Sequence, residues 1–281
     1  MRRVTAGVVV AVAVLGAGCG RDGTATERAL RKTAAELGKV HSGEVIARLA
    51  AVTAKAPDRP VGFEMRGPFA LAEPGALPRG RLDYTQLSGT DKSTVTYIGT
   101  GDRAFVQVEG TAYELAGEQL DALRRPASDD APGGLSTLRV DDWFVSPRLS
   151  DGGTVGGVAT DKIEAKLDVP ATLGDLQELA RSFGAAGLGA LPPLSVADRE
   201  HLRAATDAST AIVYTGKKDR VLRRLVLHIS LSGVDPSTLP AAVSSLMPVT
   251  IDLDLALARV NEPVTVETPT AVKPYSELRR R

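Results

Sequence analysis

The most informative segment of this 281-residue chain spans residues 61–115 and reads VGFEMRGPFALAEPGALPRGRLDYTQLSGTDKSTVTYIGTGDRAFVQVEGTAYEL. Apolar and polar side chains alternate along it, first at Val61, Phe63 and Met65 and again around Leu82 and Tyr84. Such a period of two is typical of strands with one buried face. Glycine-containing pairs between these runs are typical of tight turns. The segment therefore predicts an antiparallel meander.

The same alternation returns in the second half of the chain. It is clearest at Lys162–Val169, and further strands are predicted at Thr210–Thr215, Val221–Leu231, Val249–Ala258 and Val264–Val266. Strands that follow one another through short turns exclude a Rossmann or TIM layout, in which strands alternate with helices. We expect an α+β fold with about eleven strands, six before and five after a helical middle, in one curved antiparallel sheet wrapped over helices.

Helices are predicted before and between the two groups of strands. Thr24 and Glu27 have the spacing of a capping box, and apolar residues then recur every three or four positions up to Leu37. Residues 44–54 fit a helix or a strand, and a strand is favoured because a meander follows. Further helices are predicted at Glu118–Arg125, around Leu173–Phe183 and at Val196–Ala205.

The first 18 residues have the layout of a bacterial secretory signal, with two arginines, an apolar run and small residues before Cys19. The apolar run is shorter than the roughly 20 residues that span a bilayer. Leu15–Cys19 resembles a lipobox, although its leucine lies four rather than three residues before the cysteine. An ordinary secretory signal is the alternative. We favour lipidation because Cys19 is the only cysteine in the chain.

These features predict a domain organisation with a lipid anchor. We expect a signal peptide over 1–18, a lipidated tether over 19–25, a single domain over 26–269 and a tail over 270–281. Loss of residues 1–18 leaves 32 basic and 34 acidic residues, a formal charge of −2. This charge gives no basic field for nucleic acid, and no polybasic run flanks the lipid. With Cys19 acylated, no thiol remains for a disulfide or a Cys-based metal site.

Little in the sequence supports catalysis. The three histidines, His41, His201 and His228, lack metal-ligand spacing, and no nucleophile elbow, dinucleotide or phosphate-binding motif is present. We expect no enzyme activity, no metal and no cofactor. Trp143 and Phe144 fit a core better than a ligand site. The notable acidic pairs are Asp141–Asp142 and Asp252/Asp254, the latter favoured as part of an outward polar face.

Several blocks of the sequence together resemble one known family. They are residues 61–115, Trp143–Pro147 followed by the strand GGTVGGVATDKIEAKLDV (152–169) and a D-L-x-x-L, the segment Tyr214–Arg220, Leu222–Ile229 and the ending NEPVTVETP (261–269). In these blocks the chain resembles the LppX/LprAFG-type lipoproteins of actinobacteria. The resemblance implies a LolA/LolB-like fold, an unclosed antiparallel β half-barrel with helices on its concave side. It also implies binding and carriage of acylated lipids or lipoglycans.

The expected function is therefore a lipid-anchored protein on the outer face of the cytoplasmic membrane, in the cell envelope, with a lipid or lipoglycan ligand and an envelope transporter as a partner. The apolar sets that face inward are the candidates for the cavity lining: Val61, Phe63, Met65, Leu82, Tyr84, Val95, Tyr97, Ile163, Leu167, Leu225, Leu227, Leu253 and Leu255. The same residues fit a plain core under the helices. Two alternatives stay open: a non-enzymatic envelope adaptor or signalling lipoprotein with a filled core that binds a protein, and a hydrolase of envelope polymers.

Overall fold

The computed structural model describes residues 24–71, 76–124, 140–182, 193–232 and 248–278. The expected signal peptide and Cys19 lie outside these residues, as does the tether before Thr24. The described helices are α1 (Ala25–Leu37), α2 (Glu118–Arg124), α3 (Val169–Ser182), α4 (Val196–Ala205), α5 (Tyr275–Leu278) and a 3₁₀ helix (Val140–Trp143).

Strands make up most of the described chain. They are β1 (Ser42–Thr53), β2 (Ala56–Ala70), β3 (Arg79–Ser88), β4 (Asp91–Thr100), β5 (Ala104–Val108), β6 (Thr111–Glu114), β7 (Phe144–Val155), β8 (Val158–Leu167), β9 (Thr206–Gly216), β10 (Leu222–Leu231), β11 (Val249–Ala258) and β12 (Val272–Pro274). The ambiguous stretch 44–54 is therefore a strand, as predicted.

These strands form one sheet in the order β12-β6-β5-β4-β3-β2-β1-β11-β10-β9-β8-β7. Every neighbouring pair is antiparallel except β12 and β6, which are parallel. β7 and β12 are the two edges and do not pair with each other, so the sheet is not closed into a barrel. The predicted α+β class with an unclosed sheet is confirmed. The described residues form twelve strands instead of about eleven, and the parallel β12–β6 pair makes the sheet mixed and not purely antiparallel.

Helix α1 begins where the capping box predicts. The Thr24 hydroxyl accepts a hydrogen bond from the Glu27 amide at 3.2 Å, and the Thr24 amide donates to the Glu27 carboxylate at 2.8 Å. Two of the amides that a helix leaves unpaired at its start are thus satisfied. Ala29, Leu30 and Leu37 are buried in the main core. α1 is therefore held by its apolar side against the sheet.

The end of the chain differs from the prediction. Residues 263–269 have no regular structure, although Val264 and Val266 are half-buried with the exposed Thr265 between them. Alternation of apolar and polar residues indicates which side chains are buried, but it does not indicate whether the backbone pairs with another strand. A strand needs such a neighbour to satisfy its backbone hydrogen-bonding groups. Pairing instead occurs in the expected tail, where β12 joins β6 and is followed directly by α5.

The main core lies on one face of the sheet, which we call the helix face. Side chains from α1, the 3₁₀ helix, α3 and α4 form a single cluster there with inward residues of β8, β9, β10, β11 and β1. We call the opposite side of the sheet the outer face. Because strand neighbours in register point to the same side, the register assigns each strand residue to one of these two faces.

Candidate functional site

All thirteen candidate cavity residues lie on the helix face. Ile163 of β8 pairs with Val213, Val213 with Leu225, and Leu225 with Leu255. The row continues through Ala47, Met65, Tyr84 and Val95. The remaining candidates occupy the same face at even spacing from this row: Val61, Phe63, Leu82, Tyr97, Leu167, Leu227 and Leu253. Strict alternation in the sequence predicts this shared side.

Four of the thirteen are ordinary core residues. Ile163, Leu167, Leu225 and Leu227 are buried in the main core. Helices α1 and α4 pack on this part of the sheet, α1 against β7 and β10 and α4 against β9. These side chains already have apolar neighbours on both sides, so they stabilise the fold and present no surface to a ligand.

The other nine form a contiguous apolar area that is only partly buried, which we call the open patch. Val61 is 57% exposed and Tyr84 41% exposed. Phe63 stacks on Tyr84, with ring centroids 5.7 Å apart and an interplanar angle of 22°. The open patch consists of Val61, Phe63, Met65, Leu82, Tyr84, Val95, Tyr97, Leu253 and Leu255, spread over β2, β3, β4 and β11.

Leu49 completes the open patch and was missed by the sequence analysis. It lies on β1 between Leu253 and Phe63 in the register, and it is half-buried. Residues 44–54 fit both a helix and a strand, and although a strand is favoured, no residue of this segment is among the thirteen candidates. The alternation of Val45, Ala47 and Leu49 was the available signal.

At one end of the open patch, Tyr97 also packs in a second, smaller hydrophobic core. Tyr97 packs with Tyr275 of α5 and Leu120 of α2 around Leu77 and other buried residues. Its hydroxyl donates a hydrogen bond to the Pro78 carbonyl at 3.0 Å. Burial raises the pKa of Tyr97 to about 12, because desolvation disfavours the phenolate. Tyr97 therefore contributes a neutral edge to the apolar area.

The outer face has the opposite chemistry. Arg224 donates two hydrogen bonds to Asp254, at 2.9 and 2.6 Å, and His228 lies 2.7 Å from Asp252. These two acids thus form the outward polar face that was favoured. The other acidic pair, Asp141–Asp142, is in the 3₁₀ helix before the edge strand β7.

Trp143, His41 and His201 are the other residues that the sequence singles out. Trp143 is buried in the main core, and its indole nitrogen donates to Asp175 at 2.9 Å. His41 is exposed immediately before β1, and His201 lies within α4. Within the described ranges, no group of three or more His, Cys, Asp or Glu side chains could hold a metal ion.

A separate groove of about 590 Å³ lies at the β12 edge of the sheet. Its lining includes Arg103, Glu114, Gln119, Lys273 and Tyr275. Arg103 and Glu114 are joined there by two hydrogen bonds of 2.7 and 2.8 Å, which lower the pKa of Glu114. This groove lies between β6, the start of α2 and the end of the chain, and none of its lining residues belongs to the open patch.

No helix in the described parts of the chain has the length and apolar character needed to cross a membrane. No family model matches the sequence, and no curated protein matches it.

Two solved structures are similar to this one. The crystal structure of LprF from Mycobacterium bovis has 12% sequence identity and a TM-score of 0.48, over 87% of this chain and 96% of LprF. A domain from Vibrio parahaemolyticus named for outer membrane lipoprotein sorting has 8% identity and a TM-score of 0.19, over 79% of this chain and 87% of that domain. The fold assignment itself rests on the strand order and register above. LprF is one of the LppX/LprAFG-type lipoproteins, the family that the sequence blocks described above resemble.

Proposed function

We propose that this protein is a lipid-anchored envelope lipoprotein that binds the acyl chains of a lipid on the open patch. The supporting observation is the contrast within one face of one sheet. Large apolar side chains are buried by helices at β8, β9 and β10, whereas the equivalent side chains of β2 and β3 remain partly exposed. Contiguous exposed apolar surface in a folded domain marks a site for an apolar partner.

The magnitude of acyl-chain burial fits this proposal. Each buried methylene contributes about 0.8 kcal/mol, so about ten methylenes contribute about 8 kcal/mol before the cost of association. Phe63, Met65 and Tyr84 supply flexible and planar side chains that adapt to a chain of variable shape. No charged residue is among the nine residues of the open patch, so a carboxylate or sugar head group would remain outside it.

Lipid uptake tests the proposal directly. Wild-type protein is purified and its bound lipid is extracted and identified by mass spectrometry, and the delipidated protein is titrated with a fluorescent fatty acid. Met65→Glu places a charge in the centre of the open patch, and we expect it to weaken uptake at least tenfold because the carboxylate must be desolvated. Absence of both co-purified lipid and uptake by wild-type protein would contradict the proposal.

A matched control is available on the outer face. Ile46 of β1 is an aliphatic residue that is 59% exposed and points away from the helices. Ile46→Glu introduces the same charge on the opposite face of the sheet, at a position more exposed than that of Met65, and we expect unchanged uptake. Equal loss in both variants would assign the effect to stability and not to the open patch.

The anchor at Cys19 is a separate part of the proposal. A diacylated or triacylated cysteine holds a protein stably on a membrane, since two or more acyl chains suffice. We expect wild-type protein in the membrane fraction on the outer face of the cytoplasmic membrane, and Cys19→Ser in the soluble fraction. Membrane association that survives Cys19→Ser would refute the anchor without bearing on lipid uptake. We also propose that the anchored protein acts as a carrier and delivers its bound lipid to an envelope transporter.

A further inference from the structure

Helix α1 has a basic side that lies opposite its buried side. Arg28, Arg31 and Lys32 are exposed, and at 100° per residue they fall within an arc of about 100°. The buried residues of α1 occupy another arc of about 100°, nearly opposite: Ala29, Leu30, Thr33 and Leu37. The sequence has no polybasic run at this point, so only the helical geometry collects these charges on one side.

The acids near this basic side are already engaged. Glu27 closes the capping box with Thr24, and Glu36 pairs with Lys39 at 2.7 Å. Within the described ranges, Arg31 and Lys32 form no salt bridge. Residues 24–39 contain four basic and two acidic side chains, so the exposed side of α1 carries net positive charge.

The position of α1 in the chain gives this charge a partner. Only four residues separate Thr24 from Cys19, and five steps of fully extended chain span at most about 18 Å. If Cys19 carries the acyl chains, the start of α1 cannot lie farther than this from the lipidated residue. An anionic membrane surface attracts nearby Lys and Arg residues with about 1 kcal/mol each, or about fivefold in partitioning per residue.

We propose that the basic side of α1, through Arg31 and Lys32, binds the anionic surface of the membrane in which the protein is anchored. The contact is electrostatic and fixes the orientation of the domain, with the helix face toward the bilayer and the outer face toward the aqueous side. It rests on the Cys19 anchor of the proposed function and not on lipid binding by the open patch.

The test uses the lipidated full chain in phosphatidylcholine vesicles with and without phosphatidylglycerol. Because an acylated Cys19 has no free thiol, Ala35→Cys on the basic side can be labelled with a fluorophore. The matched position is Thr210→Cys, exposed on the outer face of β9 beside His228. We expect a quencher on the lipid head group to quench the label at position 35, only with phosphatidylglycerol present, and not the label at position 210.

Charge reversal separates the specific contact from general attraction. In the Ala35→Cys background, Arg31→Glu with Lys32→Glu should abolish the phosphatidylglycerol-dependent quenching. Arg148→Glu with Lys166→Glu, two exposed residues on the outer face of the sheet, should leave it unchanged. About 1 M salt shortens the screening length to about 3 Å. It should abolish the quenching in Ala35→Cys alone and in Ala35→Cys with the two outer-face substitutions.

Three outcomes would overturn the inference. Equal quenching at positions 35 and 210 means that the domain has no fixed orientation. Quenching at position 35 that does not depend on phosphatidylglycerol or on Arg31 and Lys32 means that α1 does not recognise anionic lipid. Protein that fails to remain with the vesicles contradicts the Cys19 anchor and this inference together, while uptake of fatty acid still decides the function of the open patch.

Discussion

Equivalent apolar side chains on the helix face are buried in one half of the sheet and partly exposed in the other half. At β8, β9 and β10 the inward residues Ile163, Val213 and Leu225 are buried beneath helices. Farther along the same register row, Met65 is half-buried and Tyr84 is 41% exposed. The strands have the same alternation in both halves, so the difference comes from the position of the helices and not from the strand sequences.

This difference assigns separate roles to the two halves. A fully buried large apolar side chain stabilises a fold by about 1.5–3 kcal/mol relative to an exposed one. Side chains in the covered half gain that stabilisation by packing under α1, α3 and α4. The partly exposed side chains of the open patch gain less of it. An acyl chain that lies on the open patch would supply the missing apolar contacts. Stability and ligand binding should therefore respond to substitutions in different halves.

The largest effect should follow from a cavity in the covered half. Leu227→Ala removes a buried side chain, and we expect the free energy of unfolding to fall by about 2–5 kcal/mol. Leu82→Ala makes the same change at a half-buried position of the open patch, and we expect less than half that loss. Urea unfolding of delipidated protein measures both. Equal losses would mean that the open patch is packed as tightly as the covered half.

Bound lipid should raise the stability of the protein most when the open patch is intact. At a free lipid concentration of about 100 times Kd, binding adds about 2.7 kcal/mol, or about 5–10 °C in Tm for a domain of this size. We expect this rise when a fatty acid is added to delipidated wild type or to Ile46→Glu, and a rise at most about half as large for Met65→Glu, whose binding is at least tenfold weaker. Thermal unfolding followed by circular dichroism measures it. A rise of the same size in Met65→Glu would exclude the open patch as the site.

Alkaline pH should weaken the edge of the open patch at Tyr97. Burial raises the pKa of Tyr97 to about 12 in the folded protein, against 10.0 for an unperturbed tyrosine. The neutral phenol is thus favoured by folding. Its contribution is complete below pH 10 and is lost as the pH rises toward 12, because the unfolded chain ionises first.

The control for this pH effect is Tyr97→Phe, which removes the ionisable group and the hydrogen bond to Pro78. We expect the Tm of wild type to fall more steeply than that of Tyr97→Phe between pH 10 and 12. Parallel curves for the two proteins would mean that Tyr97 ionises in the folded protein as readily as in the unfolded chain.

The smallest effect should come from the outer face. Asp254→Asn weakens the pair with Arg224, which is held by hydrogen bonds of 2.9 and 2.6 Å but is exposed to solvent. Exposed ion pairs contribute about 0–1 kcal/mol, so we expect a loss in this range and no change in fatty acid uptake. A loss of uptake in Asp254→Asn would break the proposed division between the two faces.

Local pattern was enough to predict most of the elements and the side on which the candidate residues lie. Alternation at Lys162–Val169 and Val249–Ala258 predicts β8 and β11, and the Thr24 capping box predicts the start of α1. Both signals depend on residues close together in the chain. Pairing does not, and for that reason Val264–Val266 has the alternation of a strand without being one.

The sequence could not predict which of the thirteen candidates are buried and which are partly exposed. Leu227 and Leu253 are the same residue type in equally alternating strands and are paired across β10 and β11, yet Leu227 is buried and Leu253 half-buried. Burial at each position depends on which helices cover it. That covering is set by long-range packing of α1, α3 and α4, which a period of two within a strand does not encode.

The most direct test of the central claim is photo-crosslinking with a diazirine-labelled fatty acid, followed by mass spectrometric mapping of the labelled residues. The claim predicts labels in β2 and β3, at or next to Phe63, Met65 and Tyr84, which an excess of unlabelled fatty acid prevents. Labels confined to the outer face or to the β12 edge groove, or labels that competition does not reduce, would contradict it.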